Sequence, residues 1–143
     1  MDSILVGVDA SDASRRAVEF AAARAEVLHR EVLIAHVIPW SPFSFNTPSE
    51  NEQRHVHKKE ELAAASEQIV NPLVELVRAT GVKAEAIVRH GHPAEMLIDL
   101  AEERNVSHIV VGRTGDSMLK QTIFGSIANR LAQAAPVPVT VIP

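Results

Sequence analysis

The chain opens with a short apolar run that ends in a polar turn, Ile4-Leu5-Val6-Gly7-Val8-Asp9-Ala10-Ser11. The run is rich in β-branched residues, and its unbroken apolarity predicts a strand that is buried on both faces. Over residues 11–29, apolar residues then recur at helical spacing, and Ser11 or Asp12 can cap the start of that helix. The start of the chain therefore predicts a buried strand that leads directly into an amphipathic helix.

Further apolar runs of the same kind follow, and helical patterns separate them. The runs cover residues 32–38, 84–88, 108–111 and 137–142, and the helical patterns cover residues 49–79, 93–104 and 126–135. Pro72 lies inside the longest helical pattern and predicts a kink or a break near Val70. Strict alternation predicts an α/β fold, an open parallel sheet of five strands with helices on both faces. Ligands of such sheets bind beyond the carboxyl ends of the strands.

Length and composition limit the functions that are possible. A chain of 143 residues has the size of one domain, so residues 1–143 are expected to form a single domain with its own core. The absence of cysteine excludes disulfides and thiolate chemistry, and a net charge of -4 with few aromatic residues argues against a nucleic-acid-binding surface. The sequence has neither a membrane-spanning apolar run nor a basic leader, so we expect a cytoplasmic protein without nucleic-acid or membrane partners.

The segment before the last helical pattern carries most of the chemistry. It reads Gly112-Arg113-Thr114-Gly115-Asp116-Ser117-Met118-Leu119-Lys120-Gln121-Thr122-Ile123-Phe124-Gly125-Ser126. Gly112 and Gly115 allow a tight turn and a close approach of the backbone to a ligand. Gly125 and Ser126 begin a helix, whose free N–H groups favour an anion, and two basic residues add positive charge. Together these features predict a phosphate-binding loop, although Gly112 could equally end a strand, Ser126 cap a helix, and the basic Arg113 and Lys120 be solvated.

Other phosphate-binding motifs are absent from the sequence. It contains no G-x-x-x-x-G-K-[ST] and no G-x-G-x-x-G after the first strand, which excludes a P-loop NTPase and the dinucleotide-binding fingerprint. The spacing Gly112-x2-Gly115-x9-Gly125-Ser126 instead resembles the nucleotide-binding signature of the universal stress protein family, G-x2-G-x9-G-(S/T). The opening strand with its Asp-x-Ser turn, the segment His36-Val37-Ile38 and the final Pro136-Val137-Pro138-Val139 resemble the same family in the same order.

This resemblance implies a sheet of strand order 3-2-1-4-5, similar to the adenine nucleotide alpha hydrolase fold, and an adenine nucleotide as ligand. The nucleotide would be ATP, with ADP or AMP as alternatives and Mg²⁺ as a companion ion. The resemblance implies that Asp9 and the backbone of Val37 face the adenine, although Asp9 is equally a common turn or helix-cap residue. The ribose and phosphates would be held by Gly112, Gly115, Gly125 and Ser126, with Arg113, Thr114 and Ile127 lining the same site.

The resemblance also implies a homodimer, because family members commonly pair through their final strand. That strand is here Val137-Pro138-Val139-Thr140-Val141-Ile142, and an apolar edge strand invites pairing. The function implied is that of a stress-response regulator that acts through nucleotide-dependent conformation or dimerisation.

The alternative functions are a slow ATPase or phosphoryl-transfer enzyme and a domain that works by association alone. Phosphoryl transfer needs metal ligands and a positioned nucleophile. Only Asp9 and Asp116 supply carboxylates near the predicted site, and the sequence contains no evident pair of base and nucleophile. We therefore assign no catalytic residue and favour nucleotide binding, with slow hydrolysis at most.

Seven histidines raise the question of a metal site. His55 and His57 are predicted to lie on one helix at positions that do not face each other, so a shared metal is not expected. His90 and His92 flank a strand end in the predicted crevice, where bonding within the loop is expected and contact with a nucleotide phosphate or a metal is the alternative. The remaining two strand histidines, His36 and His108, are expected to be hydrogen-bonded core residues. The sequence therefore predicts no metal site.

Residues 39–52 form a polar, proline-containing segment that holds the chain's one tryptophan. The segment predicts a loop. It would be either a connector whose aromatic residues pack on the sheet edge or a lid near the ligand crevice.

Overall fold

A computed structural model describes residues 3–39, 48–113 and 125–143. Its strands are β1 (Ser3–Gly7), β2 (Glu31–Pro39), β3 (Ala84–Gly91), β4 (His108–Gly112) and β5 (Val139–Ile142). Its helices are α1 (Asp12–Leu28), α2 (Pro48–Ala65), α3 (Asn71–Arg78), α4 (Pro93–Glu103) and α5 (Ser126–Ala134), and a π-helical turn (Ser66–Val70) joins α2 to α3. Among the helices in these ranges, none has both the length and the apolarity to cross a membrane.

The strands form one sheet in the order β3-β2-β1-β4-β5, and each adjacent pair is parallel. This confirms the predicted parallel sheet and the strand order that the resemblance implied. Gly7 at the end of β1 pairs with Ala35 of β2 and with Val111 of β4, so the carboxyl ends of these strands come together. The chain passes from β1 out to β3 and returns on the other side of β1. A ligand crevice is expected where the order reverses, between β1 and β4.

Helices cover both faces of the sheet, as the unbroken apolar strands predicted. Side chains alternate along a strand, so neighbouring residues of β1 enter opposite cores. Ile4 and Val6 pack with α1 and α3, whereas Leu5 packs with Leu100 of α4 and Leu131 of α5. None of these five side chains is more than 1% exposed. The two cores hold the helices in place and so position the loops at the carboxyl edge.

The long helical pattern is irregular where Pro72 predicted a kink or a break. The backbone N–H of Asn71 donates to the carbonyl of Ser66, which is the π-helical spacing of five residues. Pro72 has no N–H, and its ring clashes with the carbonyl four residues earlier in a regular helix. The wider turn accommodates this clash, and the fully buried Val70 remains in the core at its end.

The predicted strands differ from the observed ones at their ends. β1 begins and ends one residue earlier than predicted, and β3 runs on to Gly91, which pairs with Pro39 of β2. β5 begins only at Val139. The preceding Pro138 accepts a hydrogen bond from the N–H of Ile109 at 3.0 Å, but it has no N–H with which to extend the ladder.

Candidate functional site

A cavity of about 310 Å³ lies at the carboxyl ends of β1, β2 and β4, where the strand order reverses. Small-molecule sites typically have volumes of about 300–1,000 Å³, so the cavity is large enough for a small ligand. The first turns of α1, α4 and α5 complete its wall through Ser14, Pro93 and Ser126. The location is the one that the alternation of strands and helices predicted.

The structure brings together all the predicted site residues that it describes. They line this one cavity although they come from four separate parts of the chain: Asp9, Val37, Gly112, Arg113, Gly125, Ser126 and Ile127. Thr114 and Gly115 lie outside the described residues, as do Asp116 and Lys120. What each residue binds remains a prediction, whereas their common location is an observation.

Asp9 is held by two donors on one carboxylate oxygen. Its Oδ1 accepts a hydrogen bond from the backbone N–H of Ser11 at 2.9 Å and another from the hydroxyl of Ser14 at 2.9 Å. The Oγ of Ser14 in turn accepts from the backbone N–H of Asp9 at 2.8 Å. The carboxylate is half-buried at the cavity wall and has a defined orientation. An ionised carboxylate only accepts hydrogen bonds, so it suits a ligand that carries an N–H or O–H donor.

The cap of α1 resolves two alternatives that the sequence left open. Ser11, not Asp12, is the N-cap, because its side chain accepts from the backbone N–H of Ser14. The bond from the N–H of Ser11 to Asp9 makes Asp9 a turn residue as well as a cavity residue. The turn interpretation of Asp9 is therefore confirmed, and it is compatible with contact to a ligand.

The ends of β1 and β2 are tied together beneath the cavity. The N–H of Val8 donates to the carbonyl of Ala35 at 2.8 Å, and Nδ1 of His36 lies 2.7 Å from the carbonyl oxygen of Val8. A carbonyl can only accept, so Nδ1 of His36 carries the proton of this bond. His36 is hydrogen-bonded, as predicted. It also lines the cavity, which the sequence analysis did not anticipate.

Gly112 permits a close approach between two elements of the fold. A Cβ at this position would lie 2.8 Å from the Cβ of Ala13 and 3.1 Å from the carbonyl carbon of Ala13. Ordinary van der Waals contacts of a Cβ begin at about 3.4 Å. The missing side chain therefore lets the first turn of α1 pack on the end of β4. This packing requires a glycine at position 112, and the approach of a ligand to the same residue, which also lines the cavity, stays a prediction.

The start of α5 is anchored by backbone hydrogen bonds at the cavity wall. Gly125 is the N-cap and Ser126 the first helical residue, so the interpretation of Ser126 as a cap is wrong. The N–H of Gly125 donates to the carbonyl of Arg113 at 2.9 Å, and the N–H of Arg113 donates to the carbonyl of Ile142 at 2.6 Å. The first N–H groups of a helix have no partner within the helix and carry partial positive charge. The start of α5 is thus suited to an anion.

The two helices that flank the cavity are linked on their outer side. Nε of Arg130 in α5 donates to Oε1 of Glu95 in α4 at 2.7 Å. This hydrogen bond lowers the pKa of the Glu95 carboxyl below its ordinary value, and the positive charge of Arg130 acts in the same direction. A second hollow of about 570 Å³ lies between the starts of the same helices and shares Ser126 and Ile127 with the cavity. The cavity therefore continues into an open groove.

His108 and His90 lie close to polar side chains of other elements, whereas His57 pairs within α2. His108 is hydrogen-bonded as predicted, through Nε2 to the hydroxyl of Thr140, but it is half-buried and does not belong to the core. Nε2 of His90 lies 3.5 Å from Oε2 of Glu61, whose Oε1 lies 2.9 Å from Nε2 of His57. His90 therefore lies beside α2, and its bonding within the loop stays a prediction. Across the residues described, no three His, Cys, Asp or Glu side chains are grouped as a metal site requires.

Residues that complete the cavity were missed by the sequence analysis. Ser14 lies five residues after Asp9, in the first turn of α1, and Leu97 reaches the cavity from the second turn of α4. Pro39 and Pro93 lie at element ends that the sequence did mark, but nothing in the pattern indicated contact with a ligand. The predicted strand ends identify the cavity residues that lie at the end of a strand or just after it. They do not identify residues that a neighbouring helix contributes.

The whole chain, residues 1–143, matches the model of the Universal stress protein family. Universal stress protein YxiE of Bacillus subtilis is 32% identical over 154 aligned positions, which cover 99% of this chain and 98% of the relative. The solved structure of universal stress protein UspA from Lactobacillus plantarum has a TM-score of 0.84 at 24% identity, covering 99% of this chain and 97% of that one. The universal stress protein from Archaeoglobus fulgidus in complex with dAMP has a TM-score of 0.68 at 25% identity, covering 100% and 98%. The chain therefore belongs to the universal stress protein family.

Proposed function

We propose that this chain binds an adenine nucleotide, ATP, in the cavity and acts as a stress-response regulator. The observation that carries the proposal is the convergence of three chemically different features on one cavity. These are the oriented carboxylate of Asp9, an apolar wall, and the start of α5. A nucleotide has three matching parts: a flat base with polar edges, a sugar and an anionic phosphate chain.

The base is matched by the apolar wall and by Asp9. Side chains of Val8, Val37, Leu97 and Ile127 provide surfaces on which a flat ring can pack. Adenine carries an exocyclic amine, which is a hydrogen-bond donor, and the Asp9 carboxylate is an acceptor. Asp9 and the backbone of Val37 would therefore recognise the adenine.

The phosphates are matched by the other side of the cavity. Gly125 and Ser126 place the positive end of a helix there, and Arg113 adds a guanidinium. Gly112, Thr114 and Gly115 belong to the same predicted loop and would complete it. A bound nucleotide would supply the negative charge that this side of the cavity neutralises, together with oxygens that hold Mg²⁺.

The relative from Archaeoglobus fulgidus supports the choice of ligand. Its structure is a complex with dAMP, an adenine nucleotide, and it is 25% identical to this chain over 98% of its own length. A mononucleotide and a triphosphate share the base, so this support applies to the adenine. The preference for ATP is tested separately by including ADP and AMP in the measurements below.

Nucleotide binding is tested by titration calorimetry with ATP, ADP and AMP, each with and without Mg²⁺. We expect ATP to bind with a Kd well below about 1 mM, which corresponds to a free energy of about -4 kcal/mol. Asp9→Ala is expected to weaken binding, whereas Ser107→Ala is a control because it removes a hydroxyl at the opposite edge of the sheet. Absence of binding up to 1 mM of ligand would refute the proposal.

Regulation and catalysis are separated by single-turnover hydrolysis of ATP. The described part of the cavity contributes Asp9 as its carboxylate, and Oδ1 of that carboxylate already accepts two hydrogen bonds. We therefore expect hydrolysis far slower than about 1 s⁻¹, the lower end of typical kinase turnover. Faster turnover that is lost in Asp9→Ala or Asp116→Ala would favour the alternative, a phosphoryl-transfer enzyme.

The output of the regulator is proposed to be a change of conformation or of dimerisation. β5 stands at the edge of the sheet beside β4, and its four residues are half-buried. An edge strand can pair with a second copy, so a homodimer through Val137-Pro138-Val139-Thr140-Val141-Ile142 is the proposed assembly. Sedimentation with and without ATP tests it, and a monomer at all concentrations in both conditions would refute the dimer.

A further inference from the structure

The hydroxyl of Ser14 lies at the cavity wall but has no bonding capacity left for a ligand. It donates to Oδ1 of Asp9 at 2.9 Å, and its oxygen accepts from the backbone N–H of Asp9 at 2.8 Å and from the hydroxyl of Ser11 at 3.3 Å. A hydroxyl has one donor and two acceptor positions, and these three bonds fill them. Ser14 is also only 4% exposed. Any influence of Ser14 on a ligand must therefore act through Asp9.

Ser14 holds Asp9 at two points. One hydroxyl bonds both the carboxylate and the backbone N–H of Asp9, so the side chain and the main chain of that residue are fixed together. Ser14 itself is fixed, because it lies in the first turn of α1 and its N–H is capped by Ser11. The orientation of the carboxylate thus depends on a contact that sequence proximity to the strand would not indicate.

We propose that Ser14 is a positioning residue that sets the base specificity of the site by holding Asp9 as a fixed hydrogen-bond acceptor. This inference rests on the proposed nucleotide function. A purine with an amine at position 6 presents a donor to a fixed carboxylate, whereas a purine with a carbonyl there presents an acceptor and is repelled. Without the Ser14 hydroxyl, the carboxylate is no longer held in one orientation, and it can rotate away from a base that carries a carbonyl. Discrimination between the two bases should then fall.

The test compares ATP with inosine triphosphate, which carries the carbonyl and has the same sugar and phosphates. Calorimetry on the whole chain is expected to show that the wild type prefers ATP. Ser14→Ala should reduce the ratio of the two affinities about tenfold, or about 1.4 kcal/mol, as for the loss of one hydrogen bond to a charged group. In an Asp9→Ala background, Ser14→Ala should not change the ratio further, because the two residues act as one unit.

Matched controls separate positioning from a general loss of stability. Ser107→Ala removes a hydroxyl that donates to the carbonyl of Ser3 at 3.1 Å, at the far edge of the sheet. It should leave the affinity ratio unchanged even if it lowers the unfolding temperature. If Ser14→Ala does not fold, Ser14→Cys replaces it, because a thiol keeps the shape but donates more weakly.

The outcomes distinguish this inference from the proposed function. Failure of the wild type to bind either triphosphate would overturn the proposed function. If ATP binds but the wild type does not discriminate, or if Ser14→Ala or its Cys replacement keeps the wild-type ratio, the role of Ser14 is overturned and nucleotide binding stands. A lowered ratio in Ser14→Ala that persists in the Asp9→Ala background would also overturn it, since Ser14 would then act without Asp9.

Discussion

Replacing Gly112 by alanine tests whether the first turn of α1 must approach the end of β4. The new Cβ would lie 2.8 Å from the Cβ of Ala13 and 3.3 Å from the Ala13 carbonyl oxygen. Because the nearest atoms include the helix backbone, no side-chain rotation can relieve the contact. Instead, α1 must shift by several tenths of an ångström, and its first turn carries Ser14.

The expected loss of stability follows from two opposing effects. Overpacking of a tight contact typically lowers the free energy of unfolding by about 1–3 kcal/mol. Replacing glycine by alanine also restricts the unfolded chain, which returns about 0.4–1 kcal/mol. The net loss should be about 1–2 kcal/mol, equivalent to a fall in Tm of about 5 °C for a domain of this size.

Urea unfolding followed by circular dichroism, without nucleotide, measures this loss. Gly7→Ala is the matched control: its Cβ would also lie 2.8 Å from a neighbour, but that neighbour is the terminal Cδ1 of Leu97, which can rotate away. Gly112→Ala should therefore be the less stable of the two and should also bind ATP more weakly, since Asp9 depends on α1. A Gly112→Ala variant as stable as the wild type would refute the packing argument.

Three further expectations follow from particular contacts. Gly125→Val should weaken ATP binding about tenfold or more. The reason is that its Cβ would lie 3.3 Å from the Arg113 carbonyl oxygen, so that the branched side chain must displace the start of α5. If calorimetry shows an unchanged affinity, the phosphates bind elsewhere. Burial lowers the pKa of His108 below its ordinary 6.5, so the unfolded chain binds the proton at a higher pH than the folded chain, and stability should fall as the pH drops below about 6.5. The urea concentration at the unfolding midpoint should therefore be lower at about pH 5 than at about pH 7, and His108→Gln should reduce this difference. An identical difference in the variant would contradict this account. Arg104→Ala should lower the free energy of unfolding in urea by less than about 1 kcal/mol, although Arg104 makes two 2.8 Å hydrogen bonds to Glu85. The reason is that the pair is largely solvent-exposed. A decrease of more than about 2 kcal/mol would show that the pair contributes more than solvent screening allows.

Much of the site could be predicted because it depends on position relative to the strands. Residues at the end of a strand or just after it, such as Gly112 and Asp9, necessarily reach the carboxyl edge of a parallel sheet. The purpose of a residue was harder to predict than its location. The spacing predicts Gly112 as clearance for a ligand, and only the position of Ala13 shows that it also accommodates a helix. Sequence spacing contains no information on which element packs against a glycine.

Contacts between elements account for the rest of what was missed. In the sequence, Ser14 is one of several small residues in a helical pattern, and only the folded turn shows that its hydroxyl bonds to Asp9. Nε2 of His90 likewise lies 3.5 Å from Oε2 of Glu61, so β3 and α2 meet although they are remote in sequence. Pro72 predicts an irregularity in the helix but not its form. The observed form is a wider turn that keeps the helix continuous, and it depends on the core into which Val70 packs.

By itself, the sequence determined the class of fold and the edge of the sheet at which a ligand would bind. It did so because hydrophobic periodicity is a local property that identifies strands and helices, and few folds accommodate their strict alternation. Tertiary structure alone decided how Asp9 is oriented, what Gly112 accommodates and which helix residues complete the cavity. These depend on distances between segments that are remote in sequence, and such distances are set only when the two cores pack against the sheet.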